Sequence, residues 1–228
     1  MTKKTMEPQY QDCIEIRDTV GFARFGLMSN QVWHDDPKRI VFVLSRYKFV
    51  AKLLSGAANV LEVGCGDAFA SRIVRQEVKK LTVTDFDPLF IEDAAQIQDP
   101  KWPIETKVHD MLCGPVDGRF DGAYSLDVLE HIEPADERRF LDNLCASLSP
   151  EATVIIGMPS LESQAYASPQ SREGHVNCKS MPDFKSLMRD YFSSVSMFSM
   201  NDEVVHTGFH PMAHYLIALC SGLKKPGA

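Results

Sequence analysis

The stretch Val60-Leu61-Glu62-Val63-Gly64-Cys65-Gly66-Asp67-Ala68-Phe69-Ala70 constrains the fold more than any other part of the chain. A short apolar strand runs into a Gly-x-Gly turn and then into a helix, an order that lets an open α/β sheet offer its first strand end to a ligand. In the turn that cradles a dinucleotide pyrophosphate, a third glycine permits close packing of helix on strand. Phe69 occupies that position here and disfavours a pyrophosphate. What remains is a turn whose two glycines let backbone approach a nucleoside, with Asp67 placed to cap the helix that follows.

The surrounding chain alternates strand and helix from residue 60 onward, the pattern of right-handed crossovers and a parallel sheet. Strands are predicted over residues 60–63, 81–85, 104–108, 120–126 and 152–157. The fifth is continuously apolar, as a strand covered on both faces should be. Helices are predicted from Asp67 to 77, after Pro88, from Pro134 with Pro150 closing it, and from Met181 to Tyr191. Residues 193–200 and 211–220 read as two strands joined without a crossover helix, hence antiparallel. The expected fold class is therefore a doubly wound α/β protein with a mostly parallel, seven-stranded sheet, an antiparallel last strand and helices on both faces. Residues 1–57 divide into a frayed polar tail, an aromatic and glycine-containing cap segment and a first helix opened by Asp36-Pro37. Residues 58–220 form the core and 221–228 a solvated tail.

Ligands of such sheets bind outside the carboxyl ends of the strands. Asp85, nineteen residues after Gly66 at the end of the second strand, can accept both hydroxyls of a ribose, or it can cap the next helix together with Asp87. His109-Asp110-Met111 follows the third strand, where Asp110 can take an exocyclic amine or act as a plain cap. His131, His175, His206 and His210 fall in loops on the same edge. Each is a candidate general base, since an imidazole titrates near working pH, and each can equally be an ordinary loop residue. His206, His210 and His214 are spaced by four, but Gly208 and Pro211 oppose the helix that would align them, and no metal site is expected. Arg24, Arg46 and Lys48 either hold an anionic acceptor or form a solvated charged face.

Taken together and in order, the glycine turn, Thr-Asp-Phe-Asp-Pro at 84–88, His-Asp-Met at 109–111 and Phe-Asp-Gly-Ala-Tyr-Ser-Leu-Asp-Val-Leu-Glu-His-Ile at 120–132 resemble the class I S-adenosylmethionine-dependent methyltransferases. The Leu129-Glu130-His131 element is similar to the branch that acts on small molecules. The resemblance implies that Glu62, Gly64, Cys65 and Gly66 shape the pocket for the methionine moiety and that Asp85 holds the ribose. It also implies that Phe86 and Met111 flank adenine with Asp110 at its amine, and that Leu126 and Asp127 line the floor. The acceptor is expected to be a small polar metabolite, a sugar or nucleotide-linked sugar, methylated on oxygen or less readily nitrogen. Alternatives are an apolar acceptor such as a quinone precursor, a nucleoside-binding module without chemistry, and a nicotinamide oxidoreductase, against which Phe69 counts.

Charge and cysteine usage narrow the setting. A formal net charge of −7 argues against a nucleic-acid partner. Six scattered cysteines without a Cys-x-x-Cys pair read as reduced thiols. The amino-terminus lacks an apolar signal core and no stretch has the length of a membrane span. The expected setting is cytoplasmic, and the sequence is compatible with a homodimer.

Overall fold

The computed structural model describes residues 4–224. An eight-stranded sheet forms its centre, in the order β3-β2-β1-β4-β5-β8-β6-β7. In chain order these are β1 (Val60–Val63), β2 (Leu81–Asp85), β3 (Glu105–Val108), β4 (Phe120–Leu126), β5 (Leu148–Pro159), β6 (Phe192–Asn201), β7 (Val204–His206) and β8 (Tyr215–Leu223). Strands β1 to β5 pair in parallel. β8 pairs antiparallel with both β5 and β6, so β6 runs parallel to the first five. The eighth strand is the addition to the expected seven. Val204–His206 folds back on β6 as a hairpin after a turn in which Asp202 takes a left-handed φ of 49°, within a connection read from sequence as unpaired. β8 also runs on to Leu223, past the expected end of the core at 220. The rest of the expected tail, from residue 225, lies outside the described residues.

The helices are α1 (Gln11–Thr19), α2 (Leu27–Asp35), α3 (Lys38–Leu53), α4 (Ser71–Arg75), α5 (Pro88–Gln96), α6 (Glu137–Ala146), α7 (Pro169–Gly174) and α8 (Met181–Tyr191). They divide between the two faces of the sheet. Tyr47, Val50 and Ala51 of α3, Val74 of α4 and Ile91 and Ala94 of α5 pack on one face. Phe140, Leu141 and Leu144 of α6 and Phe184 and Met188 of α8 pack on the other. β5 feeds both: Val154, Ile156 and Met158 point one way and Ile155 the other, which is why this strand reads as an unbroken apolar run.

Three local expectations differ from the structure. The helix expected from Pro134 to Pro150 ends at Ala146, and Leu148 already pairs with Phe120. Pro150 sits where the register slips between the Phe120 and Gly122 pairings, so its missing N–H costs the ladder nothing. The helix after the glycine turn begins at Ser71, not at Asp67. The cap segment, whose sequence shows no clean periodicity, contains most of α1 and α2, and Pro8–Tyr10 forms a 3-10 turn within the expected frayed tail.

Phe69 and Asp67 explain the second and third of these. The Phe69 ring packs against Phe25 at 4.9 Å between centroids, and Phe25 packs against Trp33 at 5.4 Å. The side chain in place of the third glycine thus anchors the cap. The Asp67 carboxylate accepts from the backbone N–H of Phe69 at 3.1 Å and from that of Ser29 at 2.6 Å. Ser29 lies in the first turn of α2, so Asp67 caps a helix far from it in sequence. Asp93 of α5 supplies a second acceptor, for the Leu27 N–H at 2.7 Å. Two buried carboxylates therefore satisfy orphan donors at one helix end and favour its positive dipole.

Candidate active site

The chain order reverses between β1 and β4, the place where open α/β sheets hold ligands. A cavity of about 600 Å³ opens there, beyond the ends of β1 to β4. Its wall takes Gly64 and Gly66 from the turn, Asp85 and Phe86 from the end of β2, and Asp110 and Met111 from the segment after β3. Asp127, Val128 and His131 come from the segment after β4, and Met28 comes from α2.

The turn is built for close approach. Gly64 and Gly66 have φ of 77° and 51°, the left-handed region that side chains rarely adopt. A Cβ on Gly66 would stand 2.5 Å from the Met28 sulfur, and one on Gly64 2.2 Å from a Val128 methyl. Both glycines are thus required by backbone conformation and by space. Asp85 accepts from the Gly66 N–H at 2.9 Å and from the Asp87 N–H at 3.0 Å. Asp87, not Asp85, caps α5 through the Leu89 N–H. Phe86 stands 73% exposed on the cavity rim. Asp110 accepts from the Leu112 N–H at 2.8 Å, an Asx-type turn that leaves its side chain at the wall.

Asp127 has a left-handed φ of 57°, a conformation uncommon for a residue with a Cβ. Arg46 of α3 holds it there: one guanidinium nitrogen donates to both carboxylate oxygens, at 2.9 and 2.6 Å. The guanidinium carbon lies 3.7 Å from the centre of the Tyr215 ring. Burial is the largest influence on Arg46 and opposes its charge, but Asp127, Tyr215 and Glu130 together outweigh it and the pKa is raised. Arg46 is thus committed to organising the floor of the site, and neither belongs to a solvated face nor has its guanidinium free for an anionic acceptor. Arg24 is committed too, to Asp93 and Gln96.

Several expected site residues stand elsewhere. Glu62 is 1% exposed and shares the face of β1 that meets α3. Its carboxylate accepts from the Tyr47 hydroxyl at 2.7 Å and the Tyr124 hydroxyl at 2.6 Å. Burial raises its pKa above the ordinary range, although both hydroxyls favour the charged form. It braces the turn from behind. Cys65 and Leu126 are also buried behind the wall, and burial pushes the Cys65 thiol far up. His206 lies in the β6–β7 hairpin with both ring nitrogens engaged, Nε2 with Asn201 and Nδ1 with the Gly208 N–H, each at 2.9 Å. His210 lies in a 3-10 turn, also away from the cavity wall. His175 does not line the cavity but stacks edge-on against His131, with ring centroids 5.1 Å apart. Of the four candidate bases, His131 is the one on the cavity wall.

Sequence reasoning missed Met28, Phe90, His109, Val128 and Ile132 on the wall. The last two sit inside the motif already singled out and belong to its register. Met28 carried no signal, because α2 reaches the turn only through tertiary packing.

A parallel sheet with antiparallel β8, and a glycine turn and acidic strand end at its switch point, define a class I methyltransferase. The family model described as a methyltransferase domain matches residues 32–191, and the chain belongs to that family. It is an S-adenosylmethionine-dependent enzyme. Among solved structures, the N-methyltransferase NodS from Bradyrhizobium japonicum WM9 in complex with S-adenosyl-l-homocysteine is 22% identical, with a TM-score of 0.61 over 83% of this chain and 90% of that one. The methyltransferase domain of bacterial CtHen1-C is 16% identical, with a TM-score of 0.66 over 79% and 98%. The plantazolicin methyltransferase BpumL, in complex with a triazolic desmethylPZN analog and SAH, is 14% identical, with a TM-score of 0.63 over 86% and 89%. None of the curated proteins compared with the chain matches it. No helix among the described residues is long and apolar enough to cross a membrane.

Proposed function

We propose that the chain methylates a hydroxyl of a small metabolite held between the glycine turn and His131. The carrying observation is that one cavity is lined by Gly64, Gly66, Asp85 and Phe86 together with Asp127 and His131. In this reading Asp85 holds the ribose hydroxyls, Asp110 meets the adenine amine, and Phe86 and Met111 cover the ring. The two glycines admit the amino acid moiety. The bound sulfonium supplies a methyl group that is already electrophilic. The protein's part is to align the acceptor in line with it, exclude water and take up the acceptor's proton.

His131 is suited to that proton. Its Nδ1 donates to the Gly174 carbonyl at 2.8 Å, which fixes the tautomer and leaves the Nε2 lone pair free. The surroundings support two readings of the acceptor. Asp127 and His131 favour a polar molecule such as a sugar or nucleotide-linked sugar. Ile132, Phe140 and Leu112 on the same wall support a second reading, an acceptor with an apolar body such as a quinone precursor. NodS carries the name of an N-methyltransferase, which keeps an amine as the less favoured nucleophile. A cytoplasmic setting and a small-molecule partner complete the proposal.

Calorimetric titration with S-adenosylhomocysteine should give one saturable site in the wild type. Asp85→Ala should weaken it at least tenfold, as expected when charge-assisted hydrogen bonds of roughly 1.5–3 kcal/mol are lost. Absence of heat from a folded sample overturns the assignment of the cavity. With a transferred radiolabelled methyl as readout and a panel of sugars and catechols, His131→Ala should lower kcat by about 10²–10⁴ while sparing S-adenosylhomocysteine affinity. Full turnover in that variant removes His131 from the chemistry.

A further inference from the structure

Glu130 is a charge-bearing side chain for which the fold gives no partner. It is 0% exposed, and neither carboxylate oxygen has a hydrogen bond. An unpaired buried carboxylate is costly and is ordinarily hydrogen-bonded, paired or metal-bound. Arg46, the cation that acts on it electrostatically, donates to Asp127 instead. What does face Glu130 is a pair of imidazoles. One ligand atom each from Glu130, His131 and His175 lies within 4.8 Å of the other two, and His131 Nε2 stands 4.0 Å from Glu130 Oε1.

The two imidazoles are prepared in the same way. His131 Nδ1 is bonded to the Gly174 carbonyl at 2.8 Å, and His175 Nδ1 to the Gln164 amide oxygen at 2.9 Å. Each acceptor can take only an N–H, so each ring carries its proton on Nδ1 and offers Nε2 as a lone pair. Histidines that ligate metals characteristically donate their other N–H to a carbonyl or carboxylate in this manner.

We infer that Glu130, His131 and His175 form a binding site for one divalent transition-metal cation at the edge of the cavity. Two imidazole nitrogens and one carboxylate oxygen suit zinc, manganese, iron or cobalt better than magnesium or calcium. Around a tetrahedral zinc with bonds of roughly 2.0–2.1 Å, ligand atoms stand about 3.3 Å apart, so the three groups must close by about an ångström. His175 follows the six-residue helix α7, in the exposed segment between Ser160 and Ser180, and can supply that movement. Three protein ligands leave at least one position open to water or to an acceptor oxygen. That last placement rests on the proposed reading of the cavity, whereas the binding of the cation does not. One lone pair cannot be both ligated and protonated, so the proposed role of His131 as base belongs to the cation-free protein.

No spacing within one segment points to this set, because His175 lies 44 residues beyond His131. Metal-free full-length protein would be titrated with Zn²⁺ against a chromophoric chelator, and S-adenosylhomocysteine affinity measured on the same samples. The expected result is one tight equivalent of Zn²⁺, weakened at least tenfold in His175→Ala and in Glu130→Gln. Gln164→Ala, which removes the partner of His175 Nδ1 together with the Gln164 amide bonds to the Ser160 carbonyl and Ser163 hydroxyl, should weaken it by about 10–100-fold. Co²⁺ should shift the ring proton resonances of His131 and His175. Absence of stoichiometric Zn²⁺, unchanged affinity in both ligand variants, or Co²⁺ shifts confined to His206, His210 and His214 each overturn the inference. Because S-adenosylhomocysteine binding is read separately, loss of the metal with retained nucleoside binding leaves the proposed function standing. The reverse outcome does the opposite.

Discussion

Glu62 shows how a single residue supports the site without touching it. Strand periodicity places it on the β1 face shared with Val60, where Tyr47 from α3 and Tyr124 from β4 donate to its two oxygens. Because burial raises its folded pKa, the folded protein binds the proton more tightly than the unfolded chain. Stability is therefore lost as pH rises above the ordinary glutamate pKa of roughly 4.3 and continues to fall until the folded pKa is passed. Tyr47→Phe removes one donor and raises the folded pKa further. The variant should lose about 1.5–3 kcal/mol at pH 7 and distinctly less at pH 4, measured by urea unfolding at both. An equal deficit at the two pH values means that Glu62 does not titrate with folding.

At the scale of elements, α2 is the piece that converts a generic switch-point cleft into this cavity. Its first turn is held by Asp67 and Asp93, and its Met28 lies over Gly66. Removing the first of these acceptors with Asp67→Ala should cost about 1–2 kcal/mol. It should also raise amide exchange through residues 27–35 and weaken S-adenosylhomocysteine binding. Unchanged exchange in α2 would show that the aromatic set Phe25, Trp33 and Phe69 holds the helix alone. The elements β1, β2 and β4 were legible in sequence because each pairs a buried, largely apolar run with turn chemistry, and β3 because its place in the strand–helix alternation precedes the His109-Asp110-Met111 segment. α2 was not, because nine residues with no buried member carry little periodic signal. The short β7 escaped for a related reason: three residues are too few for an alternating pattern to register.

For the whole molecule, ligand binding and stability are linked by mass action. At a hundredfold excess over Kd, S-adenosylhomocysteine should add about 2.7 kcal/mol. For a domain of this size that corresponds to a rise in Tm of about 5–10 °C. Differential scanning fluorimetry should show this rise in the wild type and its loss in Asp85→Ala at the same ligand concentration. No rise in the wild type would mean that the cavity binds something else.

The sequence by itself determined the parallel sheet, its switch point and the half of the site built from strand ends: Gly64, Gly66, Asp85, Phe86, Asp110, Met111, Asp127 and His131 all reach the cavity wall. Those residues lie where their own strand delivers them, so local pattern suffices to place them. Tertiary structure alone decided the rest. It turned Glu62 and Cys65 inward, bound Arg46 to Asp127, laid α2 across the glycine turn and brought His175 to Glu130 and His131. Each of these depends on contacts between segments distant along the chain, and no spacing within one segment encodes them.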